Sequence, residues 1–285
     1  MNAMPHLKST GLFVLLSAVF ASDLVVIKLG LSGNPPLMFA GLRYLLGGAV
    51  LLLAMIASPK SWSICRRDLL TAILLGVLAT AEFGCLYLGM QYMSAGATSI
   101  LYYTQPIIVA ALATVFLKEP FSSKKAVALI FGFLGTLLIF LENLSTSLTN
   151  VGGLLVLSSA FSWAGGTIAF KKIVRHENFL LVSSVLLVLA GTSLTVFGIL
   201  FEATLIVSAN LAFLLMYLAI VCSATGVTLW FYLLKRHEAT QVSTWMFLVP
   251  VFAVLLSWLL LGEKVHLNEA LGIVCVGISI MILNK

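Results

Sequence analysis

Long apolar stretches, separated by short polar connections, follow one another along the whole chain. A helix that crosses a bilayer needs about 20 predominantly apolar residues, and stretches of roughly that length recur throughout the sequence. They lie at residues 11–31, 37–57, 69–90, 95–117, 124–141, 151–171, 179–201, 209–233, 240–261 and 267–284. The pattern therefore predicts an all-α membrane protein with ten transmembrane helices.

The two halves of the chain repeat one another. Residues 95–141 and 239–285 align without a gap, and the identical positions include a proline in the middle of an apolar stretch and a glutamate just after that stretch. The identical pairs are Ala95/Ala239, Ser99/Ser243, Pro106/Pro250, Leu112/Leu256, Leu117/Leu261, Glu119/Glu263 and Ala126/Ala270. Five crossings per half would place the halves in opposite orientations, an arrangement typical of transporters. We expect two inverted five-helix repeats, at residues 1–141 and 151–285.

Composition supports the membrane assignment. With 61% hydrophobic residues, 9% charged residues and a mean hydropathy of +1.14, the chain has too much apolar surface for one water-soluble core. Lipid is therefore its expected solvent. The four cysteines, Cys65, Cys85, Cys222 and Cys275, are scattered and show neither a disulfide framework nor metal-ligand spacing.

The basic residues predict the orientation. With the N-terminus in the cytoplasm, one side of the membrane collects all but three of the 16 lysines and arginines. These are Lys8, Lys60, Arg66, Arg67, Lys118, Lys124, Lys125, Lys171, Lys172, Arg175, Lys235, Arg236 and Lys285. Such a bias is typical of cytoplasmic segments, so both termini are expected in the cytoplasm. The net charge of +6 then reflects topology, and no nucleic-acid partner is needed to explain it.

Four ionisable residues, Asp23, Lys28, Arg43 and Glu82, lie inside predicted spans. A charge there costs at least about 2.5 to 3.5 kcal/mol, so each needs a partner or water. Two interpretations are open. The four can form a structural ion-pair network, with Asp23 next to Arg43 and Glu82 next to Lys28. Alternatively, Asp23 or Glu82 faces a cavity and binds a substrate amine or carries a proton during transport.

Pro106 and Pro250 lie inside two apolar stretches at matching positions. Proline lacks an N–H and crowds the carbonyl four residues earlier, so we expect a kink in both helices. Matched helix kinks can serve packing alone, or can mark a binding site near the membrane midplane.

Aromatic and polar side chains surround these prolines and recur in other helices. The candidates for a substrate cavity are Tyr87, Tyr102, Gln105, Trp163, Trp230 and Trp245, together with Asp23 and Glu82. Aromatic walls with few polar groups suit amphipathic or cationic ligands. The alternative for any single Tyr or Trp is a place at the membrane interface.

Glu119 and Glu263 lie at the ends of the fourth and ninth predicted helices, next to the apolar stretches 95–117 and 240–261. A carboxylate at a helix junction can cap the next helix, because the first N–H groups of a helix lack partners. We therefore predict a structural role for both residues, with each glutamate capping the helix that follows it.

The remaining chemistry argues against an enzyme. All four histidines, His6, His176, His237 and His266, fall in connections or at span ends, and no glycine-rich phosphate loop is present. We expect no metal and no cofactor.

Three segments resemble a known family. PPLMFAGLRYLLGG (35–48), AGATSILYYTQPIIVAALATVFLKEPF (95–121) and ATQVSTWMFLVPVFAVLLSWLLLGEKV (239–265) are similar to the two repeats of EamA-type carriers in the drug/metabolite transporter superfamily. The resemblance implies ten helices in two inverted repeats, cytoplasmic termini, and alternating-access movement of small metabolites, often the export of amino acids or related compounds.

The combined expectation is a secondary transporter in the cell membrane of a prokaryote, acting as a monomer or weak homodimer. Its substrates are expected to be amino-acid-like or amphipathic compounds, with protons as a further partner. A passive channel, and a receptor or scaffold that transports nothing, are the alternatives. Substrate, direction and energy coupling are left open by the sequence.

Overall fold

The architecture is a helical bundle. A computed structural model describes residues 4–31, 33–57, 66–93, 95–141, 151–174, 178–203, 205, 208–261 and 264–284, in which every regular element is a helix. The first half contains α1 (Met4–Gly30), α2 (Pro36–Ile56), α3 (Arg66–Tyr92), α4 (Ala95–Tyr102), α5 (Gln105–Leu112) and α6 (Ser123–Phe140). The second half contains α7 (Val151–Ile173), α8 (Phe179–Phe201), α9 (Ala209–Tyr217), α10 (Val227–Arg236), α11 (Ala239–Trp245), α12 (Leu248–Leu261) and α13 (Leu267–Asn284).

These helices make ten crossings, as predicted. A π-helical stretch at Ala113–Leu117 extends α5, and another at Leu218–Gly226 joins α9 to α10 into one crossing. Within the described ranges, nine segments are long and apolar enough to span a bilayer, and Leu267–Leu283 is a shorter apolar helix.

Large apolar side chains point outward from the bundle. Leu53, Leu154, Phe201 and Phe213 are each more than 60% exposed. In water such a surface would be strongly unfavourable, whereas lipid tails solvate it well. The outer surface is therefore in contact with the bilayer.

Equivalent helices of the two halves run antiparallel. α2 packs along α8, and α6 along α13. On the second pair, Ser279 near the end of α13 donates a hydrogen bond to the Ala128 carbonyl near the start of α6 (2.6 Å), while Gly135 further along α6 contacts Gly272, earlier in α13. Because α6 and α13 are the fifth helices of their halves, this pairing confirms that the two repeats are inverted.

The first helix of each repeat packs against the third helix of the other repeat, which follows the same symmetry. α7, the first helix of the second half, packs on α3, the third helix of the first half. Conversely α1 packs on the crossing formed by α9, the π-helical stretch and α10. The two halves thus share one core instead of forming two separate units.

Both helices that contain the matched prolines are interrupted. The first breaks at Tyr103 and Thr104, between α4 and α5, and the second at Met246 and Phe247, between α11 and α12. At each break an amide bonds to the carbonyl three residues back, Thr104 to Leu101 and Phe247 to Thr244, both at 3.2 Å. The prolines follow within a few residues, where their missing N–H groups weaken the α-helical pattern.

A close backbone approach between the repeats gives a prediction for stability. A Cβ at Gly272 would lie 2.6 Å from the Gly135 carbonyl oxygen, whereas a Cβ at Gly277 on the same helix meets no atom within 4 Å. We expect Gly272→Ala to lose about 1 to 3 kcal/mol of stability through overpacking. Gly277→Ala is expected to be neutral or stabilising, because alanine is the better helix former by about 1 kcal/mol. Thermal unfolding in detergent measures both, and equal effects of the two variants would contradict the role of this contact.

Candidate functional site

A cavity lies at the centre of the bundle, between the two repeats. The empty space is about 670 Å³, including the part open to solvent. Its walls come from both halves, and both interrupted helices contribute. Tyr102, Tyr103 and Gln105 come from the first break, and Met246 and Val249 from the second. Discontinuous helices that meet at a midplane cavity are a common design for transporter sites.

Arg43 is the most constrained charge in this cavity. It is only 2% exposed, and its Nη2 lies 2.7 Å from Asp23 Oδ1. Its Nη1 donates to the Tyr87 hydroxyl (2.8 Å) and its Nε to the Ser223 hydroxyl (3.1 Å). The guanidinium also lies 4.6 Å from the centre of the Tyr44 ring. Arg43 is therefore held on several sides, and Asp23 balances its charge.

Glu82 has fewer described partners than Arg43. It is 5% exposed, and it accepts a long hydrogen bond of 3.3 Å from the Tyr102 hydroxyl. No side chain in the described part of the chain forms an ion pair with it. The side chain of Lys28, its predicted partner, lies outside the part of the chain that the structure describes. Glu82 thus faces the cavity with one hydroxyl donor.

Two further polar atoms at the cavity lack partners. Gln105 Oε1 and Trp163 Nε1 are buried without a hydrogen bond among the described residues, and both side chains line the space. Leaving such a group unpaired costs about 1 to 3 kcal/mol. A polar ligand or water in the cavity can satisfy one acceptor and one donor here.

The other predicted cavity residues lie in a second cavity, behind Arg43, or away from the described cavities. Trp163 and Trp230 pack together, with ring centres 4.9 Å apart, and both line a second cavity next to the first. Tyr87 lies behind Arg43 and orients it. Trp245 stacks on Phe13 with a ring separation of 5.0 Å, outside the walls of the described cavities.

Sequence reasoning missed several residues of this site. Tyr44, Ser223 and Phe20 line the central cavity, and Ser223 supplies an acceptor to Arg43 from the second repeat. Ser223 lies in the π-helical stretch, a deviation that often occurs at functional sites. Ser223 lies among the small residues 222–226, which show no distinctive pattern. Little in the sequence could therefore have identified it.

Glu119 connects the two repeats at one end of the bundle, which we call the closed end. Its Oε1 accepts from the Ala239 N–H (2.7 Å), and its Oε2 from the N–H and hydroxyl of Thr240 (3.2 and 3.1 Å). These are first-turn groups of α11, which belongs to the other repeat. Lys171 lies 2.7 Å from the same carboxylate. Partial burial raises the pKa of Glu119, but the hydrogen bonds from Lys171 and Ala239 outweigh it and hold the pKa below its ordinary value.

This contact corrects the predicted role of Glu119. The expectation was a cap on the helix that follows, but Ser122 occupies that position and accepts from the Lys125 N–H at the start of α6. Glu119 instead caps α11 across the interface between repeats. Sequence spacing identified the carboxylate as a cap but could not show which helix it reaches. Glu263, its predicted counterpart, lies outside the described residues.

More contacts close the same end. Lys171 also donates to the His237 carbonyl (2.6 Å), and Lys125 pairs with Glu238 (2.6 Å). Deeper in, Ser17 donates to the carbonyl of Trp245 (3.1 Å).

Toward the opposite end the space continues. A further cavity of about 410 Å³ shares Tyr102 and Tyr103 with the central one and reaches Met90 and Thr98. These residues lie near the end of α3 and the start of α4.

Comparison with known proteins agrees with this architecture. The sequence model of the EamA-like transporter family matches residues 8–141 and again residues 150–285. "Uncharacterized transporter YoaV" of Bacillus subtilis is 30% identical over 264 residues, covering 89% of each chain. "Probable amino-acid metabolite efflux pump" of Escherichia coli is 29% identical over 283 residues, covering 93% of this chain and 91% of that protein. A solved crystal structure superposes with a TM-score of 0.82 at 14% identity, over 99% of this chain and 98% of that one, and shows the shared fold.

The inverted helical repeats define an integral membrane transporter. The chain belongs to the EamA-like transporter family, and the two relatives are named as a transporter and as a probable metabolite efflux pump.

The lowered pKa of Glu119 gives a prediction for stability. A carboxylate whose pKa falls on folding stabilises the fold fully above its ordinary pKa of 4.5, and that contribution is lost as the pH drops through the lowered value. We expect Glu119→Gln to cost about 2 kcal/mol at neutral pH. The difference from the unsubstituted protein should shrink at about pH 3.5. Thermal unfolding at both pH values measures it.

Glu238→Gln is the matched control for this prediction. Its carboxylate also pairs with a lysine at the closed end, but the side chain is 42% exposed, and exposed pairs contribute at most about 1 kcal/mol. A loss in Glu119→Gln no larger than in Glu238→Gln, or one that grows on acidification, would contradict the proposed cap.

Proposed function

We propose that this protein is a secondary transporter that exports small metabolites carrying an amino or other cationic group, by alternating access. The observation that carries the proposal is the Glu82 carboxylate, which faces the central cavity with a single hydroxyl donor and no ion-pair partner among the described side chains. A carboxylate at this depth with no counter-charge among the described side chains is costly. A cationic substrate or a proton relieves that cost.

Asp23 and Glu82, the two acids inside the predicted spans, differ in their partners, and this difference supports the role of Glu82. Asp23 is engaged by Arg43 at 2.7 Å, so that pair is neutral and has little attraction for a further charge. Glu82 has no ion-pair partner among the described side chains. The rings of Tyr102 and Trp163 lie in the same cavity wall, where aromatic faces attract a cation, and Gln105 Oε1 offers one more acceptor.

Proton exchange follows from the same arrangement. Substrate cation and proton compete for one carboxylate, so Glu82 is neutralised by one or the other in each half of the cycle. A proton that enters from outside displaces the substrate, crosses with the returning carrier and leaves when the next substrate binds. The proton gradient thereby drives export, the direction in the name of the Escherichia coli relative.

The closed end supports a cytoplasmic gate. That end carries Lys118, Lys124, Lys125, Lys171 and Lys172, and basic residues of this density favour the cytoplasm of the cell membrane. With this orientation, the cavity that extends toward Met90 and Thr98 leads outward. The described conformation is then outward-facing, with the Glu119 contact to α11 closed.

Inward opening requires the release of that contact and closure at the other end. The internal repeat pairs Glu263 with Glu119, and Ala95 with Ala239. We propose that Glu263 caps the start of α4 in the inward-facing state, as Glu119 caps α11 in the outward-facing one. The two helix breaks next to Pro106 and Pro250 are the flexible points at which the paired segments bend.

Transport by reconstituted protein tests the role of Glu82. Glu82→Gln keeps the shape of the side chain and its hydrogen bond to Tyr102 but removes the charge. We expect proton-driven export of a cationic amino compound from liposomes to fall at least about tenfold, the equivalent of 1.4 kcal/mol of lost transition-state stabilisation, and the remaining flux to lose its dependence on a pH gradient.

Asp68→Asn serves as the control variant. It removes a carboxylate from the same helix, at a site where Asp68 accepts a hydrogen bond from Asn178 (2.6 Å) away from the cavities, and should leave flux unchanged. Full flux with unchanged pH dependence in Glu82→Gln would contradict the proposal.

A further inference from the structure

The second cavity differs chemically from the first. It lies between α3, α7, α8 and α10 and has about 430 Å³ of empty space, including the part open to solvent. It shares Glu82, Phe83, Trp163 and Val227 with the central cavity. Glu82 therefore stands where the two spaces meet. We call the second space the annex.

The walls of the annex are mostly apolar. Leu75, Leu78, Leu186, Trp230 and Phe231 contribute large side chains, whereas the central cavity contains the Asp23–Arg43 pair. Apart from Glu82, polar side chains enter the annex from Ser162 and Thr167. A group that moves from water into this space gains by its apolar area, about 25 cal/mol per Å² buried.

Aromatic packing keeps these walls in place. Phe231 stacks on Phe170 with ring centres 3.7 Å apart and planes 11° from parallel. Trp230 is 1% exposed and packs against Trp163. The two aromatic residues Trp230 and Phe231 in the wall of the annex are thus buried and have little freedom to collapse into it.

One glycine leaves the annex open. Gly166 lines the space, and a Cβ built on it meets no atom within 4 Å. The glycines at the helix interfaces behave differently: at Gly48, for example, a Cβ would lie 2.8 Å from the Val188 backbone nitrogen. Gly166 is therefore not needed for helix packing, and any larger side chain there would occupy the annex.

We infer that the annex receives a bulky apolar group of the substrate, next to the cationic group held at Glu82, and that Gly166 determines the size of the group that fits. The inference rests on the proposed function of Glu82. It defines the substrate class as compounds with one cationic group and one aromatic or branched apolar group a few bonds apart.

Two permanently charged probes test this inference. Tetramethylammonium and benzyltrimethylammonium differ by one phenyl ring, and their affinities for the purified full-length protein can be measured by calorimetry in detergent. We expect the benzyl compound to bind at least roughly tenfold more tightly, because it buries a phenyl ring. Gly166→Leu should abolish this preference and leave tetramethylammonium binding unchanged.

Gly165→Leu is the matched control. Gly165 is the preceding residue of α7, a Cβ at this position likewise meets no atom within 4 Å, and the residue does not line the described cavities. Its substitution should preserve the preference for the benzyl compound. If Gly166→Leu does not yield folded protein, Gly166→Ala replaces it, and a preference reduced about threefold is then expected.

The outcomes separate the two proposals. Binding of both cations that depends on Glu82, with the benzyl preference intact in Gly166→Leu and Gly166→Ala, overturns the annex inference and leaves the proposed function standing. Equal loss in Gly165→Leu and Gly166→Leu also overturns the inference. Benzyl binding that depends on Gly166 but survives Glu82→Gln overturns the role of Glu82. Failure of both cations to bind the unsubstituted protein overturns both.

Discussion

The buried guanidinium of Arg43 is the constraint on which the rest of the site depends. A permanent charge at this depth in a membrane protein is tolerated only with a counter-charge and satisfied donors. Arg43 obtains both: Asp23 on α1 supplies the charge, Tyr87 on α3 accepts one hydrogen bond, and Ser223 in the second repeat accepts another. One side chain on α2 thereby connects two neighbouring helices of its own repeat and reaches across the interface. The planar guanidinium suits this task, since a lysine could not offer donors in several fixed directions.

The two repeats share a common helical frame, but the charged residues within the membrane are distributed unequally between them. Both repeats contribute an interrupted helix to the cavity wall, and antiparallel contacts such as Gly135 with Gly272 hold the halves together. The charges in the interior of the predicted spans, away from the span ends, however, lie only in the first repeat. In the proposed mechanism, the symmetric frame exchanges two equivalent conformations, and the single carboxylate of Glu82 gives the substrate one place to bind.

Much of the fold was predictable, because helix number and inversion depend on local properties. Apolar length gives the crossings, and the matched prolines indicate where helices break. Contacts across the repeats were harder to predict. Glu119 bonds to α11 instead of the next helix, and Glu202 at the end of α8 accepts from Leu37 and Met38 at the start of α2 (both 2.9 Å). Such caps depend on which helix ends meet in three dimensions. The annex escaped prediction for the same reason, since a free space beside Gly166 is a property of the assembled bundle and leaves no trace in the local sequence.

The central claim is that the Asp23–Arg43 pair is a neutral structural tie and that transport does not use its charges. The most direct test is substrate flux through the double variant Asp23→Asn with Arg43→Gln, reconstituted in liposomes and compared with each single variant. Removing one partner of a buried pair costs about 3 to 5 kcal/mol, whereas removing both can be close to neutral. The account predicts that the double variant regains folded yield and proton-driven flux that the single variants lose. A double variant that folds as well as the unsubstituted protein but transports nothing would contradict it.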